Sequence, residues 1–178
     1  MNRWYAVLSA VTTLALPWSV GAIPLDQAQR DRSLTVQLRP HGYTSVTVSV
    51  HNRSDHAVQV TALPGTVFDD PVEGEQDLTV TAPMRLDVPA GATVSRTVST
   101  YCLNLHAAPP SEGREMTARS MLAPLALLLK DARGGHDANT QQRVWTLMDQ
   151  LRGTVAKAAT ADCTTGCGGG CGGGCDGG

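Results

Sequence analysis

Apolar and polar residues alternate with a period of two over much of the first two-thirds of the chain. The apolar positions carry mostly valine and leucine, and threonine and serine are frequent between them. This pattern is typical of β-strands with one buried face. We expect six or seven strands between about residues 33 and 105, and the alternating runs lie at residues 34–38, 46–50, 58–62, 78–82, 84–88 and 94–102.

Residues that favour turns separate these runs. Examples are Pro40-His41-Gly42, Pro64-Gly65 and Pro89-Ala90-Gly91. Short strands that each have one apolar face must hide those faces against a second sheet. The pattern therefore predicts an antiparallel, Ig-like β-sandwich over residues 23–106. Residues 23–33 form a linker or an ordered N-terminal arm of this domain.

The period changes after residue 107, and residues 107–161 are predicted to be a helical extension packed on the β domain. A first helix is expected over Glu112 to Arg133, and Pro124 either kinks it or begins a new helix. A second helix is expected to begin near Asn139 as N-cap, with Gln142 in a capping-box position. Its apolar face consists of Val144, Leu147, Met148, Leu151 and Val155.

The first 22 residues have the pattern of a cleavable secretory signal peptide. Arg3 gives a positive start, an uncharged and mostly apolar stretch runs from Trp4 to Leu16, and Val20-Gly21-Ala22 offers small residues for cleavage. The alternative is an uncleaved anchor, but the apolar stretch is shorter than the about 20 residues that span a bilayer. We therefore expect an exported protein, periplasmic or extracellular, with no membrane span after cleavage.

Charge and composition narrow the class of partner. The formal net charge of the 178-residue chain is −2, and the predicted signal carries no acidic residue. A mildly acidic chain has no general attraction for nucleic acid. Aromatic residues make up only 4% of the chain, which argues against a carbohydrate-stacking surface. The expected partner is a protein or a component of a cell surface.

Residues 162–178 form a low-complexity tail rich in cysteine and glycine, which we predict to be disordered. Its four cysteines repeat a Cys-x3-Cys spacing and are Cys163, Cys167, Cys171 and Cys175. Four thiolates are a ligand set for Zn²⁺ or Cu(I). An oxidising compartment instead favours disulfides, which four cysteines can form in three pairings. Cross-linking to another molecule and an incidental, unstructured tail also remain open.

The sequence offers little support for an enzyme. It contains no His-Glu-x-x-His, no Gly-x-Ser-x-Gly and no phosphate loop, and Gly-x-Gly-x-x-Gly occurs only by repetition of glycine within the low-complexity tail. Cys102 shares its parity with Val94 and Val98, so its side chain is expected to face the core as a small apolar group. A catalytic role would require Cys102, His106 and an acidic residue to meet in one cleft.

Two polar segments have both a functional and a structural interpretation. Carboxylates at Asp69, Asp70, Glu73, Glu75 and Asp77 suit weak Ca²⁺ binding, but the spacing is not that of an EF-hand. We interpret them as a charged surface turn. The sequon Asn52-Arg53-Ser54 is interpreted as a turn as well.

Several phrases resemble those of exported bacterial Ig-like domains. They are Gly65-Thr66-Val67-Phe68, Gln76-Asp77-Leu78, Val88-Pro89-Ala90-Gly91, Tyr101-Cys102-Leu103-Asn104 and Gln141-Gln142-Arg143-Val144-Trp145. The resemblance covers about residues 34–150 and implies an exported protein with an Ig-like fold. The tail is similar to Cys–Gly tails of other exported bacterial proteins.

Together these features favour an exported, non-enzymatic binding or structural module whose tail serves as a tether. The alternative is a metal-handling protein that binds Zn²⁺ or Cu(I) through the four tail thiols.

Overall fold

The computed structural model describes residues 21–130 and 137–165, of which residues 155–165 are described by their backbone alone. This part of the chain contains nine β-strands and three α-helices. In chain order they are β1 (Ile23–Pro24), α1 (Leu25–Ala28), β2 (Leu34–His41), β3 (Ser45–Asn52), β4 (Val58–Ala62), β5 (Val67–Asp69), β6 (Leu78–Val80), β7 (Met84–Val88), β8 (Thr93–Cys102), β9 (Thr117–Arg119), α2 (Ala123–Leu129) and α3 (Ala138–Thr165).

The strands form two sheets. The smaller sheet has the order β1-β4-β7 and the larger has the order β2-β3-β8-β6-β5-β9. The short β1 runs parallel to β4, and the other pairs of neighbouring strands are antiparallel. The expectation of a mainly β chain with a helical extension is confirmed. Seven strands, β2 to β8, lie within the region where six or seven were predicted.

The alternation seen in the sequence sets the register of the larger sheet. β2 and β3 form a hairpin in which Val36 lies opposite Val50 and Leu38 lies opposite Val48. Val46 then pairs with Val98 of β8. Because successive side chains of a strand point to opposite faces, these residues share one face of the sheet. That face is buried and the intervening serines and threonines lie on the other.

Both sheets contribute to one hydrophobic core. Leu38 and Val48 of the larger sheet and Val60 and Leu86 of the smaller sheet belong to the same cluster of buried side chains. Complete burial of a valine or leucine contributes about 1.5–3 kcal/mol each, so this cluster is the main source of stability. The sheets therefore fold as one unit.

The N-terminal segment is an ordered arm, which was one of the two alternatives for residues 23–33. Ile23 lies beside Val60 in the parallel pair of β1 and β4. Leu25 and Ala28 of α1 are buried in the core. The arm is therefore part of the folded domain and contributes to its core.

The predicted helix from Glu112 is wrong for its first part. Met116 and Ala118 are buried while Thr117 and Arg119 are exposed, which is the period of a strand. β9 pairs with β5, and the Met116 amide donates to the Leu38 carbonyl at 3.0 Å. This pairing overrides the local tendency to form a helix.

The second of the two alternatives for Pro124 is confirmed. α2 begins at Ala123, and Pro124 lies in its first turn, where a missing amide hydrogen costs no helical hydrogen bond. Leu125 and Leu129 are buried. Residues 131–133 of the predicted helix lie outside the described residues.

The second predicted helix is α3, but Asn139 is not its N-cap. The Asp137 carboxylate accepts hydrogen bonds from the Thr140 amide at 2.9 Å and the Asn139 amide at 3.2 Å. Asp is a strong N-cap, and its charge suits the helix N-terminus. The cap therefore lies two residues earlier than predicted, and Gln142 does not complete a capping box.

Val144, Leu147 and Met148 of the predicted apolar face of α3 are packed against both α2 and the β domain. Val144 is fully buried, and Leu147 and Met148 pack beside it against a second cluster that contains Leu129 and Tyr101. The α3 backbone is helical to Thr165, so the first four residues of the predicted tail belong to this helix. The side chain of Val155 and residues 166–178 lie outside the described part.

Gly65 lies where α2 touches the β domain. Its φ is +87°, and a Cβ atom there would lie 2.7 Å from the backbone nitrogen of Ala126. The Gly65 carbonyl also accepts a hydrogen bond from the Leu122 amide at 3.0 Å. Only glycine satisfies both the left-handed conformation and this close approach.

We expect Gly65→Ala to destabilise the fold more than Gly91→Ala. Gly91 also has a positive φ, +67°, but an added Cβ would meet no atom within 4 Å. Backbone strain costs both variants about 1–2 kcal/mol. Crowding against α2 adds about 1–3 kcal/mol for Gly65→Ala alone. Urea unfolding measures the difference, and equal losses in the two variants would show that α2 does not lie against Gly65.

Candidate functional site

A pocket of about 540 Å³ lies between the end of β8 and the first turns of α3. The loop after β8 and the turn between β2 and β3 complete its walls. We call it the β8–α3 pocket. Its volume is within the range of about 300–1,000 Å³ that is usual for small-molecule sites.

Gln141 joins α3 to the end of β8. Its Oε1 accepts a hydrogen bond from the Cys102 amide at 2.9 Å, and its Nε2 donates to the Cys102 carbonyl at 2.8 Å. Gln141 is only 3% exposed. The side-chain amide therefore pairs with the backbone of Cys102 as a neighbouring strand would, and it fixes the position of the helix at the pocket.

Two further contacts anchor α3 along the same segment. The Asp137 amide donates to the Tyr101 hydroxyl at 3.1 Å. About four turns farther along the helix, Arg152 donates to the Leu103 carbonyl at 3.5 Å and to the side-chain oxygen of Asn104. The helix is thus held to residues 101–104 at its start and at its middle.

Gln76 holds the loop that forms the facing wall. Its Oε1 accepts from the Asn104 amide at 3.1 Å, and its Nε2 donates to the Asn104 carbonyl and to the Ala107 carbonyl, the latter at 3.0 Å. Gln76 is 4% exposed. A second buried glutamine therefore fixes a stretch of backbone that belongs to no strand.

Glu75 continues this support to the far end of the loop. Its carboxylate accepts hydrogen bonds from the Ser111 amide at 3.0 Å and the Ser111 hydroxyl at 2.9 Å. These hydrogen bonds lower the pKa of Glu75 because they stabilise its charged form. The loop is therefore hydrogen-bonded near its start, at Asn104, and again at Ser111.

The pocket walls are mainly apolar. The apolar lining residues include the rings of Tyr43 and Trp145 and the side chains of Leu105 and Pro109. The indole N–H of Trp145 is shielded from solvent and has no acceptor among the described residues. A buried donor without a partner costs about 1–3 kcal/mol of folding stability, so the free N–H makes the fold less stable than a hydrogen-bonded one would.

Cys102 lines the pocket and also belongs to the core, as predicted. Burial raises the pKa of its thiol to about 11, so the thiol is neutral at ordinary pH. His106 is exposed and does not line the pocket. The structure therefore does not bring together the two residues that a cysteine-based enzyme would require.

Carboxylates of the acidic turn are bound by other groups of the same chain. Asp69 forms a 2.6 Å ion pair with Arg119. Asp77 accepts from the Asp70 amide at 3.1 Å, and Asp70 accepts from the Val72 amide at 2.9 Å. Burial raises the pKa of Asp70. These contacts fit the interpretation of a structural turn.

Asn52 has a structural role too. Its side chain is fully buried and donates to the His56 carbonyl at 2.8 Å and, more weakly, to the Val88 and Pro89 carbonyls. Its Oδ1 accepts from the Ser54 amide and hydroxyl. The sequon is therefore a turn, as interpreted.

Most of the predicted metal ligands lie outside the described residues. The backbone of Cys163 belongs to the last turn of α3, while Cys167, Cys171 and Cys175 lie outside the described residues. Elsewhere in the described chain, no group of three or more histidine, cysteine or acidic side chains is arranged to hold a metal ion.

Within residues 21–130 and 137–165, no helix has the length and apolar character needed to cross a bilayer. Comparisons with protein-family models, curated protein sequences and solved structures found no match to the chain.

Sequence reasoning did not identify Gln76, Gln141, Tyr43 or Trp145 as members of one site. Three of the phrases that carry the resemblance to exported domains, those at residues 76–78, 101–104 and 141–145, meet at this pocket. These phrases lie far apart in the sequence, so the sequence alone did not show that they meet.

We expect Gln141→Leu to destabilise the protein by about 2–4 kcal/mol, because it leaves both the amide and the carbonyl of Cys102 buried without a partner. Gln142→Leu is the matched control. Gln142 is exposed, and its side chain forms no hydrogen bond within the described residues, so a change below about 0.5 kcal/mol is expected. Urea unfolding measures both; similar small effects would show that Gln141 does not hold α3 in place.

Proposed function

We propose that this chain is an exported, non-enzymatic binding module that takes its ligand in the β8–α3 pocket. The observation that carries the proposal is the way in which the pocket is held. Gln141 and Gln76 fix two of its walls through buried hydrogen bonds to backbone. A pocket whose walls are fixed before binding loses little conformational entropy when a ligand enters.

A binding role is favoured over catalysis by the chemistry of the lining. The Cys102 thiol is neutral because its pKa is raised to about 11, and a neutral thiol is a poor nucleophile. The lining residues include no histidine, carboxylate, lysine or arginine. Proton transfer at this pocket would therefore lack an acid or base with a pKa near neutrality.

Export and the Ig-like architecture are parts of the same proposal. The proposed cleavage after Ala22 falls directly before β1, so the exported chain would begin with the strand that pairs with β4. The common core of the two sheets supports an Ig-like sandwich over residues 23–106. In this proposal the residues after α3 tether the module to a protein or a cell surface.

The alternative, a metal-handling protein, rests on the regular spacing of Cys163, Cys167, Cys171 and Cys175. Zn²⁺ or Cu(I) would be held by thiolates of the tail rather than by the β domain. Metal binding needs the tail, whereas ligand binding in the pocket does not. A deletion of residues 162–178 therefore distinguishes the two functions.

The test is an intact-mass measurement on protein purified after native export, made under native and denaturing conditions and with thiol alkylation. We expect a chain that begins at Ile23 and a bound organic molecule that is lost on denaturation. The deletion variant is expected to retain that molecule and its thermal transition, because the core and pocket lie before residue 162.

Other outcomes contradict the proposal. An exported chain that carries only a metal ion, lost on deletion of residues 162–178, would favour the metal-handling alternative. An empty pocket in every native preparation would argue against a binding role for the β8–α3 pocket. Unfolding of the deletion variant would show that the tail is part of the domain and not a tether.

A further inference from the structure

The lining of the β8–α3 pocket carries information on the chemical class of its ligand. Two aromatic rings, Tyr43 and Trp145, and the aliphatic side chains of Leu105 and Pro109 give it a mainly apolar surface. Apolar surface of this kind favours ligands that leave water readily.

The polar groups of the pocket are neutral, and most are already engaged. The amides of Gln76 and Gln141 are hydrogen-bonded to backbone, so they are not free to bind a ligand strongly. Gln142, exposed at the rim, is the one lining glutamine whose side chain has no partner among the described residues. The indole N–H of Trp145 in the wall also has no partner among those residues, so a ligand meets two neutral groups, the amide of Gln142 and this N–H.

The lining of the pocket disfavours charged ligands. The lining residues include no basic or acidic side chain, and the Cys102 thiol among them is protonated. An ionic ligand would lose hydration without gaining an oppositely charged side chain, which is costly in a partly buried site. The first amides of α3 already donate to the Asp137 carboxylate. A neutral ligand avoids that cost.

We propose that the β8–α3 pocket binds a neutral, mainly apolar small molecule and excludes its anionic counterparts. This inference rests on the proposed binding function and adds the class of ligand. Its ring system or alkyl group lies between Tyr43 and Trp145, and its most polar group faces Gln142 and the solvent.

Two dyes that differ by a single charged group test the proposal. N-phenyl-1-naphthylamine is neutral, and 8-anilinonaphthalene-1-sulfonate has the same ring system with a sulfonate. Residues 23–178 contain one tryptophan, Trp145, which lies in the pocket wall and reports binding by energy transfer to the dye. We expect saturable binding of one neutral dye per chain and at least tenfold weaker binding of the anionic dye.

Matched variants locate the binding. Leu105→Asp places a charge in the pocket wall and is expected to weaken binding of the neutral dye at least tenfold. Leu127→Asp is the control, because Leu127 is an exposed leucine of α2 that does not line the pocket. It is expected to change the affinity less than twofold. Ala138→Glu provides a second charge in the wall, at the start of α3, where an acidic residue is favourable to the helix.

Each contrary outcome has a distinct meaning. Equal or tighter binding of the anionic dye at the pocket would overturn the proposed ligand class but leave a binding role intact. Loss of dye binding in Leu127→Asp as well, or no loss in Leu105→Asp and Ala138→Glu, would show that the dye binds elsewhere and would overturn the inference. An absence of any bound molecule in native preparations, whatever the dyes do, would overturn the proposed function itself.

Discussion

Glutamine side chains complete the backbone hydrogen bonding where the strands of this protein end. Gln29 joins the carbonyl of Met116 and the amide of Ala118 at the start of β9. Gln141 likewise bonds the amide and carbonyl of Cys102 at the end of β8. Gln76 bonds the backbone of Asn104 and Ala107 in the loop after it. A buried amide or carbonyl without a partner costs more than a hydrogen bond gains, so these contacts decide where the irregular segments lie.

The candidate site is a consequence of this pairing. Gln141 ties the start of α3 to β8, and the opposite wall of the pocket, the loop after β8, is tied to Gln76. The space between them is then bounded by Trp145 on the helix and Tyr43 on the β2–β3 turn. The β domain and the helical extension therefore act together, and neither would form the pocket alone.

Six of the strands were predictable because period-two alternation of apolar and polar residues depends only on which face is buried; they are β2, β3, β4, β6, β7 and β8. The three-residue β5 is too short to show that alternation. β9 was not predictable either, since its alternation is limited to Met116 and Ala118 and depends on pairing with β5, far away in sequence. The apolar face of α3 was likewise predictable from Val144 and its neighbours. The role of Gln141 was not, because its partner lies 39 residues away and a glutamine carries no periodic signal.

The most direct test of the central claim, that α3 is bonded to the end of β8 and so shapes the pocket, is hydrogen exchange of the Cys102 amide followed by NMR in the native state. The account predicts that this hydrogen exchanges as slowly as those in the middle of β3, because its acceptor is the buried Oε1 of Gln141. Exchange as fast as that of a frayed strand end, with β3 still protected, would contradict it.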